Sequence, residues 1–189
     1  MKGQLVSVCI PCHNAAPYVA QAIESILAQT WQAVEIIVID DGSTDGSSTI
    51  LNTYASSRLL VIRQDNRGQC AAANRAFAEA QGDLIKFFDA DDVLVPESIT
   101  HQVRRLNGRK DSIASAQWGR FYNDDPSSFK LNPQSVWCDL SALDWLTEAW
   151  VDARPMMQCG LWLIPRPILE RSGGWDESLS LINDFEFFA

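Results

Sequence analysis

Leu84-Ile85-Lys86-Phe87-Phe88-Asp89-Ala90-Asp91-Asp92 decides how the rest of the chain is read. Its first half is a short, mostly apolar run of the length of a buried strand. Three aspartates then fall within four positions. Like charges crowded at a strand end repel one another unless a cation sits among them. The cluster therefore points to a divalent metal ion and, with it, to a phosphorylated ligand.

Upstream, the same passage from apolar strand to polar turn recurs. Leu5–Ile10 reads as a first strand, Glu35–Ile39 as a second and Leu59–Ile62 as a third. Between them, Val19, Ala22, Ile23, Ile26 and Leu27 recur at helical spacing. Ile50, Leu51 and Tyr54 supply a second apolar face, preceded by the cap-forming residues Ser43, Thr44 and Asp45. Ala72, Ala73, Ala76, Phe77 and Ala80 supply a third, with Gly82 expected to end that helix. Pro96 opens a fourth helix carrying Ile99, Val103 and Leu106. Strands alternating with helices predict an α/β fold, Rossmann-like, with a mostly parallel sheet flanked by helices. The turns after parallel strands share one sheet edge, where ligands bind. Pro11–Asn14, Asp40–Asp41, Asn66–Gly68 and Asp89–Asp92 are therefore expected to meet in space.

From about Asn107 the pattern changes. Asn123-Asp124-Asp125-Pro126-Ser127-Ser128 reads as a loop, and Trp118, Trp137, Trp145, Trp150, Trp162 and Trp175 crowd this half as core or cleft walls. Residues 1–189 are expected to form a single domain, with 1–106 the half that carries the strand-end turns and 107–189 an extension of it.

The 189 residues, 47% hydrophobic and 21% charged, have the composition of a soluble globular protein. A formal net charge of -9 argues against nucleic-acid binding, which needs a basic surface. An anionic ligand must instead be met by a metal ion or a helix N-terminus. Met1-Lys2-Gly3-Gln4 leads straight into a strand-like run, so no signal peptide is expected. No apolar stretch approaches the roughly 20 residues that span a bilayer. A cytoplasmic location is expected, with room for peripheral association at the inner face of the membrane. Five cysteines without a regular framework fit a reducing compartment. Cys9-Ile10-Pro11-Cys12 spells C-x-x-C, but Cys9 lies inside an alternating strand pattern, where a redox pair would start a helix.

At these positions the chain resembles the family 2 glycosyltransferases, inverting enzymes of the GT-A fold. The resemblance rests on Val6-Ser7-Val8-Cys9-Ile10-Pro11 with Asn14, and on Val38-Ile39-Asp40-Asp41-Gly42-Ser43-Thr44-Asp45. Asn66-x-Gly68 with Asn74, then Phe88-Asp89-Ala90-Asp91-Asp92, continue it in the family's order. Gly173-Gly174-Trp175-Asp176-Glu177 and Asn183-Asp184 complete it. One such motif is weak; the ordered set covers almost the whole chain. The resemblance implies a nucleotide-sugar donor, UDP-sugar favoured, and a glycan, lipid or protein acceptor. By it, Asp41 accepts a hydrogen bond from the base, with Pro11 and Asp40 lining the pocket and Asn14 nearby. Asp89 and Asp91 contact the donor, and Asp91 and Asp92 hold Mg2+ or Mn2+.

Asp184 matches the family's catalytic base, which would deprotonate the acceptor hydroxyl as it attacks the anomeric carbon. Burial beside Phe185, Phe187 and Phe188 is expected to raise its pKa toward a working value. The chain departs from the family pattern at His13, commonly Tyr, and at Asn183, commonly acidic. It also stops at Ala189, where family members continue with a helix, so the acceptor-side half is expected to be incomplete. Three other readings stand beside the transferase. A catalytically weak nucleotide-binding module fits a fragment. A nucleotidyltransferase is disfavoured by the absence of a glycine-rich phosphate loop with a lysine, and a redox protein by the placement of Cys9.

Overall fold

The structure is a computed structural model and describes residues 3–151, 158–179 and 187. Its first half runs β1 (Val6–Cys12), α1 (Val19–Leu27), β2 (Val34–Asp41), α2 (Ser47–Tyr54), β3 (Leu59–Gln64), α3 (Gln69–Glu79), β4 (Leu84–Phe87) and α4 (Ser98–Leu106). The second half adds β5 (Gly119–Tyr122), β6 (Asp125–Leu131), α5 (Ala142–Val151), a 3-10 turn at Cys159–Leu161, β7 (Ile164–Pro165) and α6 (Arg166–Ser172). The main sheet has the order β3-β2-β1-β4-β7. β1 to β4 are parallel, and β7 runs antiparallel to β4.

Period-two alternation sorts the strand side chains onto two faces. Val6, Val8 and Ile10 join Ile36, Val38, Leu84 and Phe88 against Val19, Ala22, Ile23 and Ile26 of α1, Leu51 of α2 and Ile99 and Val103 of α4. Cys9, Ile37, Ile39, Ile85 and Phe87 take the other face, under the alanines of α3 and the aromatic rings of Trp162 and Trp175. Each fully buried aliphatic side chain contributes about 1.5–3 kcal/mol. The alanines have a steric purpose, since small residues let α3 lie close on the sheet.

Several local expectations are corrected. β1 continues through Pro11 and Cys12 along β2, past the end of its pairing with β4 at Cys9. Proline is tolerated there because β4 no longer asks for its N–H. Leu27 is 41% exposed, since it ends α1 beyond the buried stripe. α3 ends at Glu79, before Gly82. Gly82 is required for a different reason: a Cβ there would stand 2.5 Å from Ser7 Oγ and 2.7 Å from the Leu5 carbonyl oxygen. The cap of α2 is Gly46, in a left-handed conformation, while Asp45 accepts from the Ser47 N–H at 3.0 Å from one position further out. Asn123–Ser128 is no loop: Asn123 and Asp124, both left-handed (φ 56° and 55°), turn a hairpin whose second strand starts at Asp125. Two such residues make the tight turn that hairpins favour.

Candidate functional site

β1, β2 and β3 proceed in one direction across the sheet and β4 lies on the other side of β1, so the chain reverses order at β1. Ligands of open parallel sheets bind at such a reversal. A cleft of about 400 Å3 lies there, lined by Pro11 to Ala15 at and beyond the end of β1, Asp41 of β2, Asn66, Gly68 and Gln69 after β3, and Asp89 to Asp91 after β4, with Tyr18.

Asp41 organises one wall. It is 2% exposed. Its Oδ1 accepts from the Gln64 amide at 2.7 Å and the Arg67 N–H at 2.9 Å, and its Oδ2 accepts from the Gly68 N–H at 2.8 Å. These bonds draw the loop after β3 onto the end of β2 and bring the first turn of α3 to the cleft. Gly42 makes room for that loop: with φ +74° it adopts the left-handed region, and a Cβ would stand 2.9 Å from the Asn66 nitrogen. His13 Nδ1–H donates to the Asp41 carbonyl oxygen at 2.8 Å, leaving Nε2 to accept from the Asn14 amide at 3.0 Å. Asn14, at φ 52°, also takes the Thr44 N–H on its Oδ1 at 2.8 Å.

Asp40 is placed elsewhere. Buried beneath the start of α2, it accepts from the Ser43 N–H at 3.0 Å, from the Ser48 hydroxyl and from Arg63 at 3.4 Å. Burial would push its carboxyl up, but the Ser43 and Ser48 hydrogen bonds and the Arg63 guanidinium outweigh it and hold the pKa below the usual carboxylate range. Its oxygens serve the turn, and Asp41 is the member of the pair that lines the cleft.

On the opposite wall, burial and the neighbouring Asp91 charge push the Asp89 carboxyl up. Gln69 donates to its Oδ1 at 3.0 Å. Asp89 and Asp91 share the cleft, whereas Asp92 turns to accept from Gln158. Among the described residues, no three His, Cys, Asp or Glu side chains converge as a metal cage. The carboxylates present nevertheless suit a hard cation: they are oxygen donors, and a cation would relieve the repulsion felt at Asp89. Mg2+-type sites use one or two carboxylates and complete their coordination with phosphates and water.

A further contact joins distant motifs. Asn74 brackets Trp175, accepting its N–H at 2.8 Å and donating to its carbonyl oxygen at 2.9 Å, and it also reaches Glu177 at 3.1 Å. Arg67 bridges to Glu177 at 3.1 Å. Trp175 stacks on Phe187 at 3.9 Å, and both rings meet Phe87 edge-on. Trp175, Glu177 and Phe187 are thus docked on α3, β4 and the loop between β3 and α3. Asp184, Asn183, Phe185 and Phe188 lie outside the described residues. A second cavity, of about 530 Å3, is walled by Trp118, Trp137, Trp145 and Trp162 with Arg120 and Glu148. Gln69 and Gln158 were not singled out in the sequence; only the position of Gln69 at the start of the third expected helix signalled it.

A mostly parallel sheet with an acid-walled cleft at its order reversal is the architecture of the GT-A fold. The family model described as glycosyl transferase family 2 matches residues 7–165, and the chain belongs to that family. Glycosyltransferase RP339 of Rickettsia prowazekii is 31% identical over 190 residues, covering 97% of this chain and 57% of the relative. S. aureus TarS 1–349, solved in complex with UDP-GlcNAc, superposes with a TM-score of 0.79 at 20% identity, covering 97% of this chain and 52% of that one. The mannosyltransferase PcManGT of Pyrobaculum calidifontis, solved with GDP-Man and Mn2+, gives 0.68 at 20% identity over 97% and 51% of the two chains. The chain therefore spans about half the length of the proteins it matches. Among the described residues no helix is long and apolar enough to cross a membrane.

Proposed function

We propose that the chain carries the donor site of an inverting, metal-dependent glycosyltransferase that moves a sugar from a UDP-sugar to an acceptor hydroxyl. The observation that carries this reading is the facing of Asp41 and the Asp89–Asp91 pair across one cleft. Asp41 Oδ2 has a lone pair left after the Gly68 bond and can accept from an N–H of the base. Pro11 and Asn14 border the same side. The first turn of α3 borders the cleft at Gln69, and a helix N-terminus suits an anion. Asp91 would hold Mg2+ or Mn2+, with Asp89 beside it and Asp92 behind. When bound, the cation supplies Lewis-acid stabilisation of the charge that grows on the departing nucleoside diphosphate.

Asp184 is assigned the proton of the acceptor hydroxyl. Attack opposite the leaving group, with one base and no covalent intermediate, inverts the anomeric centre. The tryptophan-walled cavity is the assigned acceptor side, since aromatic faces suit sugar C–H surfaces. Glycan, lipid and protein acceptors all remain within this reading, as does a peripheral membrane location. The UDP-GlcNAc bound to TarS supports a uridine donor, and the Mn2+ of PcManGT supports the ion. A nucleotide-binding module without turnover is the alternative reading of the same cleft. Hydrolysis of UDP-sugars with Mn2+, compared with Asp184→Asn, separates the two. Metal-dependent release of UDP that the substitution abolishes supports the transferase; binding without release supports the module.

A further inference from the structure

Lys86 is an ammonium group in an apolar layer. It is 0% exposed, on the sheet face that carries Leu84 and Phe88 against Ile99 and Val103. A leucine would fill that space without the desolvation cost of a charge. The lysine has a purpose in what its Nζ touches: the Gly160 carbonyl oxygen at 2.5 Å, Gln102 Oε1 at 3.1 Å and the Trp162 carbonyl oxygen at 3.5 Å. Gln102 in turn donates to the carbonyl oxygens of Leu161 at 2.8 Å and Ala114 at 3.1 Å. Successive carbonyls of residues 160–162 are therefore held by side chains. The ladder explains why. β4 pairs with β7 only at Leu84 and Ile85. At Lys86 the neighbouring chain has already left as the Cys159–Leu161 turn, and its carbonyls need other donors.

That turn links the acidic loop to the tryptophan-walled cavity. On one side Gln158 donates to Asp92, and a Cβ on Gly160 would sit 3.2 Å from the Phe88 ring and 3.5 Å from Asp92 Oδ2. On the other side Leu161 and Trp162 line the tryptophan-walled cavity. We infer that Lys86, through Gln102, is a positioning residue that holds the 158–162 turn against the acidic loop and thereby sets the Asp92 carboxylate through Gln158. The inference rests on reading Asp89–Asp92 as the donor diphosphate site. It adds that the acceptor-side wall and the acidic loop are placed by one buried node. Burial pushes the ammonium down to about 8 while the Cys159 and Asp92 charges pull it back, in keeping with a group enclosed yet near the acids.

The test compares Lys86→Gln with Val103→Ala, a substitution in the same layer that touches neither carbonyls nor acids, at matched thermal stability. Amide hydrogen exchange at Leu161 and Trp162, whose N–H groups close the turn, is expected to rise at least tenfold in Lys86→Gln only. UDP affinity in Mn2+ is expected to fall about tenfold, with metal-free UDP affinity kept within twofold. Gln158→Ala, which spares the node, should reproduce the metal-dependent loss and leave exchange unchanged. If Lys86→Gln does not fold, Gln102→Leu carries the same exchange comparison without a charge change. Equal exchange in Lys86→Gln and Val103→Ala overturns the inference, as does full Mn2+-dependent affinity in Gln158→Ala. A wild-type chain that binds no UDP brings down the donor reading instead, and the exchange comparison still decides whether Lys86 holds the turn.

Discussion

Asp41 Oδ2 accepts the Gly68 N–H at 2.8 Å, and this bond joins the end of β2 to the first turn of α3. The carboxylate that is assigned to the base also shapes the loop that is assigned to the phosphates. Asp41→Ala removes the carboxylate that accepts from the Arg67 and Gly68 amides, and hydrogen bonds to a charged group are worth about 1.5–3 kcal/mol. Thermal unfolding should show that loss, and calorimetry should show UDP binding at least tenfold weaker. Weak binding with unchanged stability would mean that the loop does not depend on Asp41.

Gly82 provides a control away from the cleft. A Cβ there meets Ser7 Oγ at 2.5 Å and the Ser7 nitrogen at 2.8 Å, and backbone cannot yield as a flexible side chain can. Gly82→Ala should destabilise by about 1–3 kcal/mol, as overpacking does. UDP affinity of the folded fraction should stay within twofold.

Asp45 sets an acid limb of stability. The Ser47 hydroxyl, the Ala16 N–H and the Ser47 N–H hold its carboxyl at about 2, below its ordinary 3.8. Between these values the unfolded chain binds more protons than the folded one, so stability falls as pH falls. The contribution is complete above about pH 4 and disappears as pH drops through about 2. Asp45→Asn should flatten urea midpoints across that window. An unchanged slope would assign the acid sensitivity to other carboxylates.

The C-x-x-C sequence is chemically inert by geometry. Cys9 and Cys12 lie on opposite faces of β1, in different core clusters. Three strand residues apart, they stand ~10 Å from each other, beyond disulfide reach. Burial, helped by the Asp40 and Asp45 charges, pushes the Cys12 thiol up to about 11, and burial pushes Cys9 higher. Cys70 and Cys159 are also buried, and Cys138 is exposed. A thiol reagent at pH 8 should therefore modify Cys138 rapidly and the others only on unfolding. Early loss of Cys9 or Cys12 would contradict the strand placement.

The strands and their order of turns were legible because period-two apolar runs and helical stripes are local signals. The meeting of Pro11, Asn14, Asp41, Asp89 and Asp91 followed from the parallel topology. Three features needed coordinates. Asp40 and Asp41 are indistinguishable as letters, and only the pleat decides which one turns to the cleft and which to Ser43 and Arg63. Asn123-Asp124 lacks the glycine that usually marks a hairpin, so two left-handed residues there escaped notice. Lys86 reads as an ordinary interruption of an apolar strand until the carbonyls of Gly160 and Trp162 are seen around it.

The most direct measurement is calorimetric titration of UDP, with and without Mn2+, into this chain and into Asp91→Asn. Binding that Mn2+ strengthens at least tenfold in the wild type, with that gain lost in Asp91→Asn, is the expected result. UDP binding indifferent to Mn2+, or a gain that survives Asp91→Asn, would contradict the assignment of the acidic loop to a metal-held diphosphate.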